Sequence, residues 1–147
     1  MSYPILHTLH LFAALLFVGT VFFEVLILES VRKHVPAEAM RLLEHAIGRR
    51  ARQLMPWVML MLFGAGLGML WLRYLPALAS PQSSAFGLLL GLKVLLAVSV
   101  LGHFLLVMLL FHRGRMSLRI SQWIHLSVFA HVLAIVLLAK GMFYLSW

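Results

Sequence analysis

The chain of 147 residues contains no cysteine and no aspartate; its four acidic residues are all glutamate. Without thiols there is no disulfide, no Cys-ligated zinc, no iron–sulfur cluster, no thiol nucleophile and no thioether-linked haem. Charge is scarce as well, at 11% of residues against 63% hydrophobic, with a mean hydropathy of +1.02. That balance excludes an ordinary soluble globular domain. The apolar runs do not alternate with polar residues, which excludes a membrane β-barrel. What remains is a helical protein whose solvent is a lipid bilayer.

Four apolar runs are present, at residues 5–28, 55–72, 86–111 and 120–144. Each is long enough to cross a bilayer as an α-helix, which needs roughly 20 residues. The expected fold is therefore all-α, a four-transmembrane-helix bundle of up-down topology, with residues 1–147 forming one integral membrane domain. The first run lacks a positively charged leader and a small-residue cleavage site, so it reads as a retained helix. There is no internal repeat or low-complexity segment.

The net charge of +8 reads as topology and not as a nucleic-acid signal. Arg32, Lys33, Arg41, Arg49, Arg50 and Arg52 lie in the first connection, and Arg113, Arg115 and Arg119 in the third. The second connection, residues 73–85, carries only Arg73, with Pro76, Pro81 and several serines marking a turn-rich loop. The basic excess puts connections one and three in the cytoplasm and both termini outside it, as in a multi-pass protein of a bacterial inner membrane. Within the first connection, Met40, Leu43 and Ile47 recur at helical spacing after Pro36, which predicts a short interfacial helix on anionic headgroups. In the second run, Gly64, Gly66 and Gly68 form a small-residue patch suited to close approach of a neighbouring helix or a flat cofactor.

Ionisable residues inside a span are expensive and mark functional positions. His10, Phe17 and Glu24 are each seven residues apart, two turns and nearly one face, which must look into the bundle. His7 lies near the helix end, within reach of water. Ser99 precedes His103 by one turn, and Ser127 precedes His131 by one turn. A serine oxygen there, or a backbone carbonyl in its place, would accept the Nδ1 proton and leave Nε2 for a metal; the alternative is a hydrogen-bonded pair that glues helices. His125 and His131 are six residues apart, about 120° around the helix, so one of the two is expected to share a space with His103. His34, His45 and His112 read as headgroup-facing.

Buried histidines without cysteine or a carboxylate cluster point to b-type haem held by imidazole, one haem or two, more than to zinc or di-iron. The candidate ligands are His10, His103 and His131, with His125 as a further cofactor contact. On the helical rise, His10 lies roughly 9 Å and His103 roughly 25 Å below the outer surface, so His103 pairs more readily with His125 or His131 than with His10. Lys93, Lys140 and Arg73 fall near the outer surface, where haem propionates leave the hydrocarbon; snorkelling without a ligand is the alternative for the two lysines.

The ordered set of these features resembles the superfamily that holds the CopD-type copper-resistance membrane domain and the HemJ-type protoporphyrinogen oxidase. The run from His10 through Phe17 to Gly19 is similar to the family's first-helix His, aromatic and Gly. The basic segment from Glu44 to Pro56 resembles the one that opens its second helix. Lys93 and His103 match its third-helix Lys and, in the HemJ branch, a later His; Lys140 matches a Lys near the end of the fourth helix. Residues 20–24 and 122–125 differ from the HemJ pattern. The resemblance implies haem b, with His10 at the redox centre and Lys93 and Lys140 on porphyrin or haem carboxylates.

The resulting expectation is a haem-b membrane redox protein, in electron transfer or quinone-linked oxidoreduction, with a quinone or porphyrin as partner and a possible link to haem metabolism as a protoporphyrinogen oxidase-like enzyme. Copper handling is one alternative, since Met55 and Met59 share a helical face and Met61 and Met69 follow. A non-catalytic subunit or assembly factor of a respiratory complex, or a homo-oligomer packed through the glycine-rich second helix, is another.

Overall fold

Each apolar run forms a helix, and the helices extend beyond the runs because the flanking residues are good helix formers. The computed structural model describes residues 2–145, and no strand occurs among them. Helix α1 spans Ser2–Val31, α2 Ala37–Ala79, α3 Ala85–His112 and α4 Leu118–Tyr144, and all four are long and apolar enough to cross a membrane. The expectation for the termini concerns Met1, Ser146 and Trp147, which lie outside the described residues.

Two expectations about the connections are corrected. The predicted interfacial helix is not a separate element, because the α-helix that begins at Ala37 runs through it without a break to Met69. Residues 49–54 supply no breaker between the two segments; Arg, Ala, Gln and Leu all favour helix. Pro56 sits inside the helix without ending it, and its ring only removes the N–H that would reach the Arg52 carbonyl. The basic segment is thus helically continuous with the start of the second span. The second connection is also shorter than expected, since α2 continues to Ala79 with Pro76 in the first turn of its terminal Leu75–Ala79 piece, a position that tolerates proline.

Two stretches wind as π-helix, Phe23–Leu28 in α1 and Leu70–Tyr74 in α2. In the first, the Glu29 N–H reaches back five residues to the Glu24 carbonyl. Such bulges are rare and concentrate at functional sites. Here they coincide with Glu24 and Arg73, two of the few charged residues within the spans.

Helix ends are closed by the expected chemistry. Ser84 and Ser117 are extended N-cap residues whose hydroxyls accept from the Gly87 N–H at 3.1 Å and the Ile120 N–H at 3.3 Å. α3 ends in a Schellman motif around Gly114, whose φ is +62°. The Gly114 N–H bonds the Phe111 carbonyl at 3.1 Å, and the Arg115 N–H bonds the Leu110 carbonyl at 2.9 Å.

Large apolar side chains such as Leu15, Leu60, Leu95 and Leu137 are exposed, as befits surfaces solvated by lipid. Trp57, Trp71 and Trp123 are exposed too, the amphipathic residues enriched at bilayer interfaces. The chain divides into two compact units, Met1–Gly66 and Leu67–Trp147.

In the first unit, α1 and the beginning of α2 run antiparallel, since His10 meets Leu62 and Arg32 meets Glu44. Ala13, Val21, Leu28, Met40, Val58, Met59 and Ala65 are its buried side chains. At one end Arg32 pairs with Glu29 at 3.2 Å and with Glu44, which pins the first turns of α2 to the end of α1. In the second unit, α3 and α4 form an antiparallel hairpin across the five residues 113–117, with Leu90, Val100, Ile124, Val128, Val132 and Met142 buried. The turn between α2 and α3 packs tightly on α3 at Gly87, where a Cβ would lie 2.9 Å from the Ala77 carbonyl oxygen. Only glycine permits that approach.

Candidate functional site

The spans carry two polar arrangements, one in each unit. In the first, His10 of α1 donates its Nδ1–H to the Leu62 carbonyl of α2 at 2.8 Å. A carbonyl can only accept, so Nδ1 carries the proton and, in the neutral ring, Nε2 carries the lone pair. The ring lies over Gly66, where a Cβ would come within 3.2 Å of His10 Cε1. The glycine patch therefore has a specific occupant: Gly66 makes room for an imidazole, while the space beside Gly64 is open. His10, Phe17 and Glu24 are all half-buried, in keeping with a shared face.

The second arrangement joins α3 to α4. His103 donates Nδ1–H to the Ser99 carbonyl at 2.8 Å, and His131 donates Nδ1–H to the Ser127 carbonyl at 2.8 Å. The backbone carbonyl one turn earlier, and not the serine hydroxyl, thus fixes each tautomer. The hydroxyls are used across the hairpin. Ser127 Oγ–H donates to His103 Nε2 at 3.0 Å, and Ser99 Oγ–H donates to His131 Nε2 at 3.1 Å. The two rings lie 5.3 Å apart between centroids, inclined at 59°.

The four bonds form a reciprocal box in which each helix supplies one serine and one histidine in the same roles. Its sequence basis is a pentad used twice, Ser99-Val-Leu-Gly-His103 and Ser127-Val-Phe-Ala-His131. The valine of each pentad is buried, as Val100 and Val128 show. Running antiparallel, two segments with the same Ser-Val-x-x-His pattern bring each serine opposite the other's histidine. The spacing within each pentad is visible in the sequence; the exchange between them needs the hairpin.

Of the other candidates, His125 is half-buried on α4 and takes no part in the box, so His131 is the α4 histidine that shares a space with His103. Lys93 is half-buried, and Lys140 and Arg73 are exposed. The helix ends bearing these three cations are held together by aromatic contacts: Tyr74 of α2 packs on Phe86 of α3 at 5.7 Å, and Phe86 meets Phe143 of α4 edge-on at 5.7 Å. His7 is exposed and 6.1 Å from the Tyr3 ring, and His34 donates to the Ser30 carbonyl at 3.1 Å. His45 and His112 are exposed.

Among the described residues, no group of three or more His, Cys, Asp or Glu side chains is arranged around one metal position. The imidazoles present are His10, held by the Leu62 carbonyl, and the pair of the box, whose two Nε2 atoms are engaged by serine hydroxyls. Comparison of the chain with known protein families, curated proteins and solved structures finds no match, so the functional reading rests on these side chains alone.

Proposed function

We propose that this chain is a haem-b membrane redox protein, working in electron transfer or quinone-linked oxidoreduction, with iron held by imidazole. One observation carries the reading. His10, His103 and His131 each tie Nδ1–H to a main-chain carbonyl at 2.8 Å. That bond fixes the ring, selects the tautomer with its lone pair on Nε2 and raises ligand basicity, which is the support that metal-bound histidines ordinarily have. Three histidines within the spans share this support, His10 by a carbonyl of the neighbouring helix and His103 and His131 by a carbonyl one turn back in their own.

The haem would supply a one-electron couple in a site without thiols. Lys93 and Lys140, which have no hydrogen-bond or ion-pair partner among the described residues, are the cations for its carboxylates, with Arg73 beside Tyr74 as a third. The same cations suit the carboxylates of a porphyrin substrate. The distribution of arginine and lysine supports connections one and three in the cytoplasm of a bacterial-type cell, with the protein in its inner membrane.

The test is the absorption spectrum of protein purified from haem-replete cells, with a pyridine haemochrome assay. The expected result is a Soret band with b-type haem, weakened or shifted by His10→Ala, His103→Ala or His131→Ala. A colourless protein that also fails to take up added haem overturns the proposal; unchanged spectra in all three variants overturn the ligand assignment.

A further inference from the structure

Two contacts set the register of α1 against α2: His10 meets Leu62, and Arg32 meets Glu44. Counted along the helices from either contact, Arg49 and Arg52 of α2 fall level with about residues 20–27 of α1. That stretch closes the apolar run of α1, and Phe23, Leu26 and Ile27 are exposed along it. The basic residues of α2 therefore begin at a depth where α1 still presents hydrocarbon-compatible side chains. A guanidinium at that depth needs an anion or a path to the headgroups.

The chain's own carboxylates are placed elsewhere. Glu29 and Glu44 both pair with Arg32, and α2 carries no acidic residue after Glu44. Arg41, His45, Arg49 and Arg52 follow one another at intervals of four, four and three residues, which puts them on one face of the helix. Arg41 and Arg49 are exposed and have no ion pair among the described residues. Gly48 completes the face. A Cβ there would stand 3.3 Å from a guanidinium nitrogen of Arg52, so Arg52 folds back one turn over the glycine, toward the end of α2 that bears His45 and Arg41. This is the direction in which a long basic side chain leaves hydrocarbon. Glycine is a poor helix former, and its missing side chain is what seats the guanidinium.

We propose that this face binds the phosphate of a phospholipid with a net negative headgroup, in the leaflet that meets the first connection. Arg49 and Arg52 are the phosphate ligands, a task for which the planar guanidinium with its forked donors is suited. Arg41 and His45 continue the face toward the rest of the headgroup. The depth favours lipid over an acidic protein segment, because the acyl chains of the bound molecule lie against the exposed apolar side chains of the same level. The absence of a carboxylate on α2 beyond Glu44 favours an anionic headgroup over a zwitterionic one, whose ammonium would find no partner on this face. The site is independent of any cofactor.

Trp57, exposed on α2 five residues beyond Arg52, reports the lipid beside the site. The full chain, with Trp71, Trp123 and Trp147 replaced by phenylalanine, is reconstituted in bilayers of brominated phosphatidylcholine, which quenches tryptophan, and unbrominated phosphatidylglycerol is titrated in. Relief of quenching gives the relative affinity of the two lipids. Phosphatidylglycerol should be preferred by roughly tenfold or more, and Arg49→Gln or Arg52→Gln should each reduce that preference about fivefold, the worth of one basic side chain near the membrane surface. Gly48→Leu, which keeps every charge but fills the seat of Arg52, should act like Arg52→Gln. Arg50→Gln removes the same charge about 100° around the helix from Arg49 and should leave the preference within about twofold. Equal affinity for the two lipids in the chain with its basic face intact overturns the proposal, and this comparison needs no arginine variant to fold. An equal loss in Arg50→Gln and Arg49→Gln reveals diffuse charge and overturns the assigned face. Competition by inorganic phosphate beyond that of sodium chloride at the same ionic strength reveals an aqueous anion site and overturns the lipid as its occupant.

Discussion

Replacing Gly66 with alanine isolates the contact between α1 and α2 that holds His10. A Cβ at this position would stand 3.2 Å from His10 Cε1 and 3.3 Å from Nδ1. Ordinary contact distances are about 3.5–4.0 Å, so the ring must retreat by roughly half an ångström. The ring is tethered at 2.8 Å to the Leu62 carbonyl, and a retreat of that size stretches the bond past the usual range. Its loss costs about 0.5–1.5 kcal/mol. Against this, alanine is favoured over glycine in a helix interior by about 0.8–1.0 kcal/mol. Gly66→Ala should therefore be close to neutral in the native background. In a His10→Ala background the ring is gone and the helix gain stands alone, so the same substitution should stabilise by about 1 kcal/mol. The predicted coupling in this double-mutant cycle is on the order of 1 kcal/mol. Reversible unfolding in mixed micelles by increasing detergent, followed through the four tryptophans, measures it. Equal stabilisation in both backgrounds would refute the packing of His10 on Gly66.

Other outcomes follow from single contacts. Gly87→Ala places a Cβ 2.9 Å and 3.1 Å from two backbone oxygens that cannot rotate away, so a loss of about 1–3 kcal/mol is expected, whereas Gly91→Ala, with nothing closer than 3.9 Å, should be neutral or mildly stabilising; equal behaviour in the same unfolding assay would contradict the tight α2–α3 turn. Gly114→Ala forces a β-carbon into the left-handed region at φ +62° and should cost about 1–2 kcal/mol, read as earlier unfolding. If Lys93 and Lys140 meet haem carboxylates, alanine at either should speed haem transfer to an acceptor protein without moving the Soret maximum. Unchanged transfer in both variants would leave the lysines as snorkelling side chains.

Much of the architecture was legible from hydropathy because a bilayer leaves few options. Backbone groups in hydrocarbon must be paired within the segment, so a sufficiently long apolar run has to be a helix, and the four spans appear where composition puts them. Boundaries were less legible. The basic stretch between residues 47 and 55 reads as a gap in hydropathy, but helix formation depends on propensity and not polarity, and α2 runs straight through it. The π segments at Glu24 and Arg73 have no pattern in the sequence, since a single extra residue per turn leaves composition unchanged.

For the candidate site, the sequence by itself determined which polar side chains are available within the apolar runs. Eight histidines, no cysteine and one carboxylate within the apolar runs leave imidazole as the available ligand type. The Ser-x-x-x-His spacing likewise fixed that serine and histidine share a helix face, a consequence of 3.6 residues per turn. Only the tertiary structure decided how those faces are used. The choice of His131 over His125 as the neighbour of His103 depends on helix rotation, the Leu62 carbonyl becomes a partner only when α2 comes beside α1, and the serines bond across the hairpin because two Ser-Val-x-x-His segments run antiparallel. Local spacing specifies a face; what that face meets is set by packing between segments far apart in the chain.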